Sequence, residues 1–313
     1  MIEVKLRRAV APAIWDAFVE NHDEGWFWHR NEWLDYCKEY DGADDYSCMI
    51  FEDWEPRALI PFLSRANDPI AQGGGSPMAV PLLSRSTRGL ESQVRDRLRL
   101  LAASSKCTEI RYRTNPFLDL GCPAFMGIPF KENHSAVLDL TKSVETLRSA
   151  LRQTYRNEIP KLLKKNVYQI PARRTDFWIQ DMREIHRRSC GGVETRPEET
   201  WIRNGRWMRS DHAAAVLVRQ PISNDPIGFV YTVIYKDRAY YACGASSVSS
   251  HGLQWEMIML LKERGVKEYD MGWIDVSDCV TDKKGYDIEF FKRGFGGNKK
   301  GFRFYNIRPE GLL

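Results

Sequence analysis

Between Ala213 and Trp273 the chain leaves itself few ways to fold. Three apolar runs, Ala213–Arg219, Ile227–Tyr235 and Ala239–Ser246, have strand length, and the last two are joined only by Lys236-Asp237-Arg238. A connection that short cannot carry a crossover, so these runs must pair antiparallel. Leu253, Met257, Ile258, Leu260 and Leu261 then recur at helical spacing up to Gly265, a helix stop, and Tyr269–Trp273 returns as a strand. An antiparallel meander feeding a helix and another strand requires an α/β (α+β) domain, its sheet covered by helices.

Upstream, Tyr168–Pro171 reads as a strand and Asp176–Ser189 as a helix, with Trp178, Met182, Ile185 and Ser189 on one face and Asp176 as its cap. Phe302–Ile307 reads as a last strand. Helix, strand, helix, meander, helix, strand and strand is the order of a GNAT-type acyltransferase core, a splayed sheet with helices on both faces. The first part of the chain is a weaker version of the same theme. It offers helices from Pro12 to about Glu20 and over Glu91–Ala103, and a short amphipathic helix around Trp33, Leu34 and Cys37. A hairpin pairs Tyr46–Phe51 with Ala58–Leu63 across a charged turn, and Glu109–Arg113 is a further strand. Gly73-Gly74-Gly75-Ser76-Pro77 breaks the pattern as a loop, plain or ligand-binding. Ala136–Thr141 is a strand leading into a helix capped by Thr141 or Ser143, which holds Val144, Leu147 and Leu151 and is ended or kinked by Pro160. We therefore expect two tandem GNAT-like domains, 1–142 and 143–313, the first a diverged copy of the second.

A length of 313 residues agrees with two cores rather than one. No run of 18 apolar residues occurs, and the start Met1-Ile2-Glu3-Val4-Lys5-Leu6-Arg7 lacks a signal peptide's apolar centre, so a cytoplasmic location is expected. Cysteines 37, 48, 107, 122, 190, 243 and 279 are scattered and odd in number, which fits reduced thiols and implies neither a disulfide framework nor a zinc site. Nor do the six histidines show metal-ligand spacing. Against 42 acidic residues stand 46 basic ones, too small an excess to mark a nucleic-acid binder by itself. Local clusters matter more: Arg148, Arg152, Arg156, Lys161, Lys164 and Lys165, then Lys292, Arg293, Lys299, Lys300 and Arg303. These are either solvated faces or sites for a phosphate-bearing partner.

The segment Asp287-Ile288-Glu289-Phe290-Phe291-Lys292-Arg293-Gly294-Phe295-Gly296-Gly297 resembles the C-terminal signature of the Fem-type aminoacyltransferases, the FemA/FemB/FemX group, and their relatives with tandem GNAT lobes. Gln254-Trp255-Glu256-Met257-Ile258 through Lys262, Gly265, Tyr269 and Asp270 is similar to that family's helix followed by a Tyr-Asp-x-Gly strand, and the basic helix around Arg152 and Arg156 is similar to its lobe junction. The resemblance implies transfer of an aminoacyl group from a tRNA ester to an amine, on a peptidoglycan precursor peptide or a natural-product intermediate, without metal or organic cofactor. Two departures stand out. No long heptad-bearing helical pair interrupts the second lobe, and Ala71–Pro77 replaces a Pro-Arg-Gly-Pro type segment.

Amide formation from an ester or thioester needs an uncharged amine beside the carbonyl and a donor aimed at the oxygen that becomes negative. The resemblance gives that role to Lys292 and to the backbone N–H of Phe291; otherwise Lys292 is a surface lysine at a strand end. Gly294, Gly296 and Gly297 either admit a ligand close to the backbone or make a simple turn, and Phe290, Phe291 and Phe295 read as packing. Arg196, whose planar fork suits phosphate or carboxylate, stands where the family often holds an anionic part of the acceptor. Arg156 and Tyr241 are further substrate-binding candidates. Asp270 or Glu256 is placed to orient or deprotonate the amine, and no general base is assigned.

Gly244-Ala245-Ser246-Ser247-Val248-Ser249-Ser250-His251-Gly252 lacks the glycine-patterned pyrophosphate loop of coenzyme-A acetyltransferases. Taken with the family resemblance of Phe290–Gly297 and the two basic clusters, this makes aminoacyl-tRNA the expected donor. Acyl-coenzyme A acting on an amino sugar or small amine is the alternative, and a non-catalytic scaffold for protein or RNA the third possibility.

Overall fold

A computed structural model of the chain describes residues 1–84, 89–118, 121–170, 177–274 and 283–312. Expectations for Pro171, Asp176 and Cys279 lie outside these residues. Two units divide the chain, Met1–Asn133 with Gly301–Leu313, and His134–Lys300. This differs from 1–142 and 143–313 chiefly because the last strand returns to the first unit, where Phe304–Ile307 pairs antiparallel with Ile110–Arg113. Pairing at such sequence separation leaves no local trace.

In the first unit, β1 (Ile2–Leu6), α1 (Pro12–Asn21), α2 (Asn31–Asp41), β2 (Asp44–Asp45), β3 (Cys48–Glu52) and β4 (Glu55–Ile60) are followed by four two-residue strands. These are β5 (Leu63–Ser64), β6 (Ile70–Ala71), β7 (Met78–Ala79) and β8 (Leu82–Leu83); α3 (Leu90–Ser105) and β9 (Glu109–Arg113) complete the run. α1 starts at Pro12, where a missing N–H costs nothing. The charged turn of the β3–β4 hairpin holds Asp53 at φ 49° and Trp54 at φ 69°, the two left-handed residues of a type I′ turn. Strands β1, β3, β4 and β8 form one sheet, while β9 pairs parallel with β6 and β7. The loop at Gly73 closes on itself, Gly73 N donating to Ser76 O at 2.9 Å, and rests on α2 through Gly75 N to Asp41 Oδ2 at 3.2 Å. Its backbone therefore packs against protein.

The second unit carries β10 (Lys131–Asp139), α4 (Val144–Ala150), α5 (Gln153–Lys165), β11 (Val167–Gln169), α6 (Phe177–Ser189), α7 (Glu198–Arg209) and β12 (Ala213–Arg219). It continues through β13 (Pro226–Tyr235), β14 (Arg238–Ser246), α8 (His251–Glu263), β15 (Glu268–Ile274), α9 (Lys283–Arg293) and the start of β16 (Asn298–Ile307). The sheet order β11-β12-β13-β14-β15-β10 is antiparallel except for β14 against β15. That is the expected mixed, antiparallel-dominated sheet. Among the described residues the longest helix is α3, 16 residues, so no coiled-coil arm is present there, and no helix is long and apolar enough to cross a membrane.

Three local points that the sequence left open are decided. Pro160 lies inside α5, which continues to Lys165; the interruption comes earlier, where the Arg152 N–H turns to Gly294 O at 2.8 Å. Ser143 rather than Thr141 caps α4, its hydroxyl accepting the Thr146 N–H at 3.2 Å. The segment at Phe290 is helical, not a strand end, because residues 283–293 form α9. Helix α7 had no counterpart in the sequence reading, although Glu198 and Glu199 in its first turn favour its start and Trp201 and Trp207 bury its inner face.

Candidate active site

The site arises where two strands part. β14 and β15 run parallel and pair only at Arg238–Glu268, Ala239–Tyr269 and Tyr240–Asp270, whereas β14 stays paired with β13 as far as Ser246. Beyond Tyr240 and Asp270 the sheet opens. A cavity of about 740 Å³ occupies the opening, lined by Tyr241 and Gly244 of β14, Met271 of β15, and Phe229 and Val230 of β13.

Two helices close it. Ser250, Leu253 and Gln254 come from the start of α8. From α9 come Lys283, Asp287, Ile288, Phe291 and Lys292, a spacing that sets them along one helical face. On the other side of α9, exposed Tyr286 and Phe290 stack 6.2 Å apart, and the Arg152 guanidinium lies 3.5 Å over the Phe290 ring.

Lys292 Nζ donates to Trp273 O at 3.1 Å. Burial lowers its pKa, an effect opposed by the charges of Asp270 and Glu289. While protonated, a lysine charge taken partly out of water acts more strongly on a developing negative charge than a fully hydrated one does. Asp270 does not line the cavity. It is fully buried on β15, its Oδ1 accepts the Gly272 N–H at 2.6 Å, and it acts on Lys292 as a buried counter-charge.

Phe291 contributes its ring. Its N–H, deep within α9, is committed to the helical ladder, so the backbone donor expected at this residue is not available to a substrate in this conformation. The glycines after α9 serve packing. A Cβ on Gly294 would sit 2.1 Å from Tyr155 Cε2, and one on Gly296, at φ +77°, 2.4 Å from Ala150 O. Phe295, 1% exposed, joins Tyr155, Phe291 and His251 in an aromatic cluster.

Tyr241 reaches the cavity, and burial pushes its hydroxyl pKa up, with the positive charge of Arg196 acting the other way. Arg196 itself is half-buried, 5.4 Å from the Trp201 ring centroid, and is not among the lining residues. Arg156 is farther from the chemistry: it donates to Ser149 O at 2.9 Å and to Gln153, and borders a separate crevice of about 120 Å³ with Arg148, Leu151 and Trp255. Glu256 is half-buried on α8, outside the lining, and burial raises its carboxyl pKa.

Several residues had gone unassigned. Gln254, 2% exposed, lines the cavity and accepts from Tyr269 Oη at 3.0 Å; Tyr269 Oη lies 3.4 Å from Thr232 Oγ1. His251 Nδ1 is 2.8 Å from Glu158 Oε2 and its ring stacks on Phe291. Burial lowers the His251 pKa while Glu158 raises it. Lys283, Asp287 and Phe291 recur at four-residue steps along α9, but two charges and a ring make no apolar stripe to read. The His251–Glu158 pair, 93 positions apart, had no readable signal either. Among the described residues no group of three or more His, Cys, Asp or Glu side chains could hold a metal ion.

No family model matches the chain, and no curated protein sequence does. Solved structures do. FemX aligns with a TM-score of 0.69 at 13% identity over 97% of both chains. L-PGS from Bacillus licheniformis gives 0.60 at 11% identity over 96% of this chain and 92% of that one. A tandem GNAT protein from the clavulanic acid biosynthesis pathway gives 0.54 at 12% identity over 98% of each. The chain thus has the fold of the Fem-like tandem GNAT proteins.

Proposed function

We propose that this chain, with its Fem-like tandem GNAT fold, is an acyltransferase that moves an aminoacyl group from aminoacyl-tRNA to an amine. The observation that carries the reading is Lys292, whose charge is partly desolvated in a cavity opened by the parting of β14 and β15. A neutral amine attacks the ester carbonyl, a C–N bond forms, and the carbonyl oxygen becomes negative. The Lys292 ammonium stabilises that oxyanion. Collapse breaks the C–O bond, and the ribose hydroxyl leaves with the proton lost by the amine. Arg196, beside Tyr241, is suited to an anionic group on the acceptor, a precursor peptide or natural-product intermediate. Arg152, just before α5, and Arg156 on it are suited to tRNA phosphates. The reaction belongs in the cytoplasm, where charged tRNA is found.

Incubation with a mixture of charged tRNAs and candidate amines tests this. Accelerated loss of the aminoacyl ester, with tRNA binding that weakens as salt rises, is the expected result. Absence of both at low salt contradicts it.

One observation favours acyl-coenzyme A as the donor instead. The first turn of α8 opens at Ser250 on the cavity, with no side-chain cap and no acidic residue, as a pyrophosphate would require. Thermal stabilisation by coenzyme A and not by tRNA would select this reading.

A further inference from the structure

The cavity is larger and more apolar than oxyanion stabilisation needs. Its deep wall is Phe229, Val230, Leu253 and Met271, each 1% exposed. Ile288 and the Phe291 ring extend that wall along α9 towards the mouth. The charges apart from Lys292 are on Lys283 and Asp287, which are exposed at the rim. A volume of about 740 Å³ is that of a site built around a ligand.

We infer that the cavity holds the side chain of the transferred acyl group, and that this side chain is uncharged and apolar, of leucine or phenylalanine size. The inference rests on the acyl-transfer reading above and narrows its substrate. A carboxylate or ammonium on the acyl group would lose its water against four buried hydrocarbon side chains, with no opposite charge in the deep wall to replace it. Gln254, which also lines the cavity, accepts from Tyr269 Oη at 3.0 Å through its carboxamide oxygen, and a neutral amide does not replace the counter-charge that a buried cation needs. A methyl group, conversely, would leave most of the apolar surface wetted and gain little. An aminoacyl ester and an acyl thioester present the same chemistry here, so the test keeps them apart.

Two series are titrated calorimetrically into the full chain. The first comprises hydrolysis-resistant 3′-amide aminoacyl-adenosines carrying Ala, Leu, Phe, Asp or Lys; the second comprises acetyl-, hexanoyl- and phenylacetyl-coenzyme A. In whichever series binds, the large apolar group should bind about 10-fold or more tighter than the small one, the margin that a few buried carbons give. Asp and Lys should bind more weakly than Ala. Ile288, 43% exposed, tolerates change; in Ile288→Asp the preference should shrink to about 3-fold or less, and in Ile288→Leu it should persist.

Binding without acyl preference, or with Asp or Lys tightest, overturns the inference and leaves the proposed function standing. A preference untouched by Ile288→Asp overturns the assignment of this wall. Absence of binding in both series removes the proposed function and the inference with it. Should Ile288→Asp fail to fold, the wild-type series decides alone.

Discussion

The two units treat the space beside their sheets in opposite ways. In the first unit, β9 is flanked on both sides, Tyr112 Oη is tied to Pro61 O at 2.7 Å, and Trp15, Trp26, Phe27, Phe62 and Phe125 are fully buried. One crevice described there, about 360 Å³, is lined by Glu91, Arg95, Asp96 and Arg99, charged groups that water already serves well. In the second unit β14 leaves β15 after three pairs, and Gly244 adds no side chain to the gap that Tyr241 and Phe229 border. A shared class of fold therefore does not make a site. What makes one is a break in strand pairing that is left unfilled by large side chains and has a partly desolvated cation at its edge.

That contrast can be broken by experiment, most forcefully in the first unit. Trp15 is fully buried and its indole N–H donates to His29 O at 2.7 Å, so Trp15→Ala should cost about 3–5 kcal/mol of stability in urea unfolding. Transfer rate per folded molecule should stay unchanged. In the second unit Lys292→Ala should do the reverse, lowering the transfer rate about 10²–10³-fold while thermal unfolding stays close to wild type. A rate unaffected by Lys292→Ala would return the chain to the class of non-catalytic scaffolds.

Smaller effects sharpen the picture. Gly294→Ala would press a methyl group into the Tyr155 ring, and such overpacking costs about 1–3 kcal/mol, read from chemical denaturation. Because Tyr155 packs on Phe291 and His251, a change in donor binding should accompany it. Ser143→Ala removes the α4 cap and should cost about 1 kcal/mol with no effect on transfer.

How legible all this was in the sequence depended on range. The meander over residues 213–246 could be read to within a residue at each strand end, because continuous apolar runs and a short turn are local. Lys292 was singled out without its helix, a strand end being the one element offered for it. Adjacent Phe290 and Phe291 imitate a strand, whereas the helical face of α9 mixes Lys283 and Asp287 with Ile288 and shows no apolar stripe. Asp270 and the glycines were noticed for chemistry and serve packing and charge balance, which only their buried neighbours reveal. The parting of β14 from β15, the Gln254–Tyr269 contact and the return of the last strand to the first unit are all non-local pairings, invisible to periodicity.

The central claim is that a protonated Lys292 acts on the reacting carbonyl, and its pH dependence tests that most directly. Burial lowers the pKa of Lys292 from 10.5, so the active, protonated form is lost as pH rises through that lowered value. After subtraction of spontaneous ester loss, the wild-type transfer rate should fall on an alkaline limb below pH 10.5, and Lys292→Ala should show a low rate without that limb. The same limb in both proteins would contradict the account.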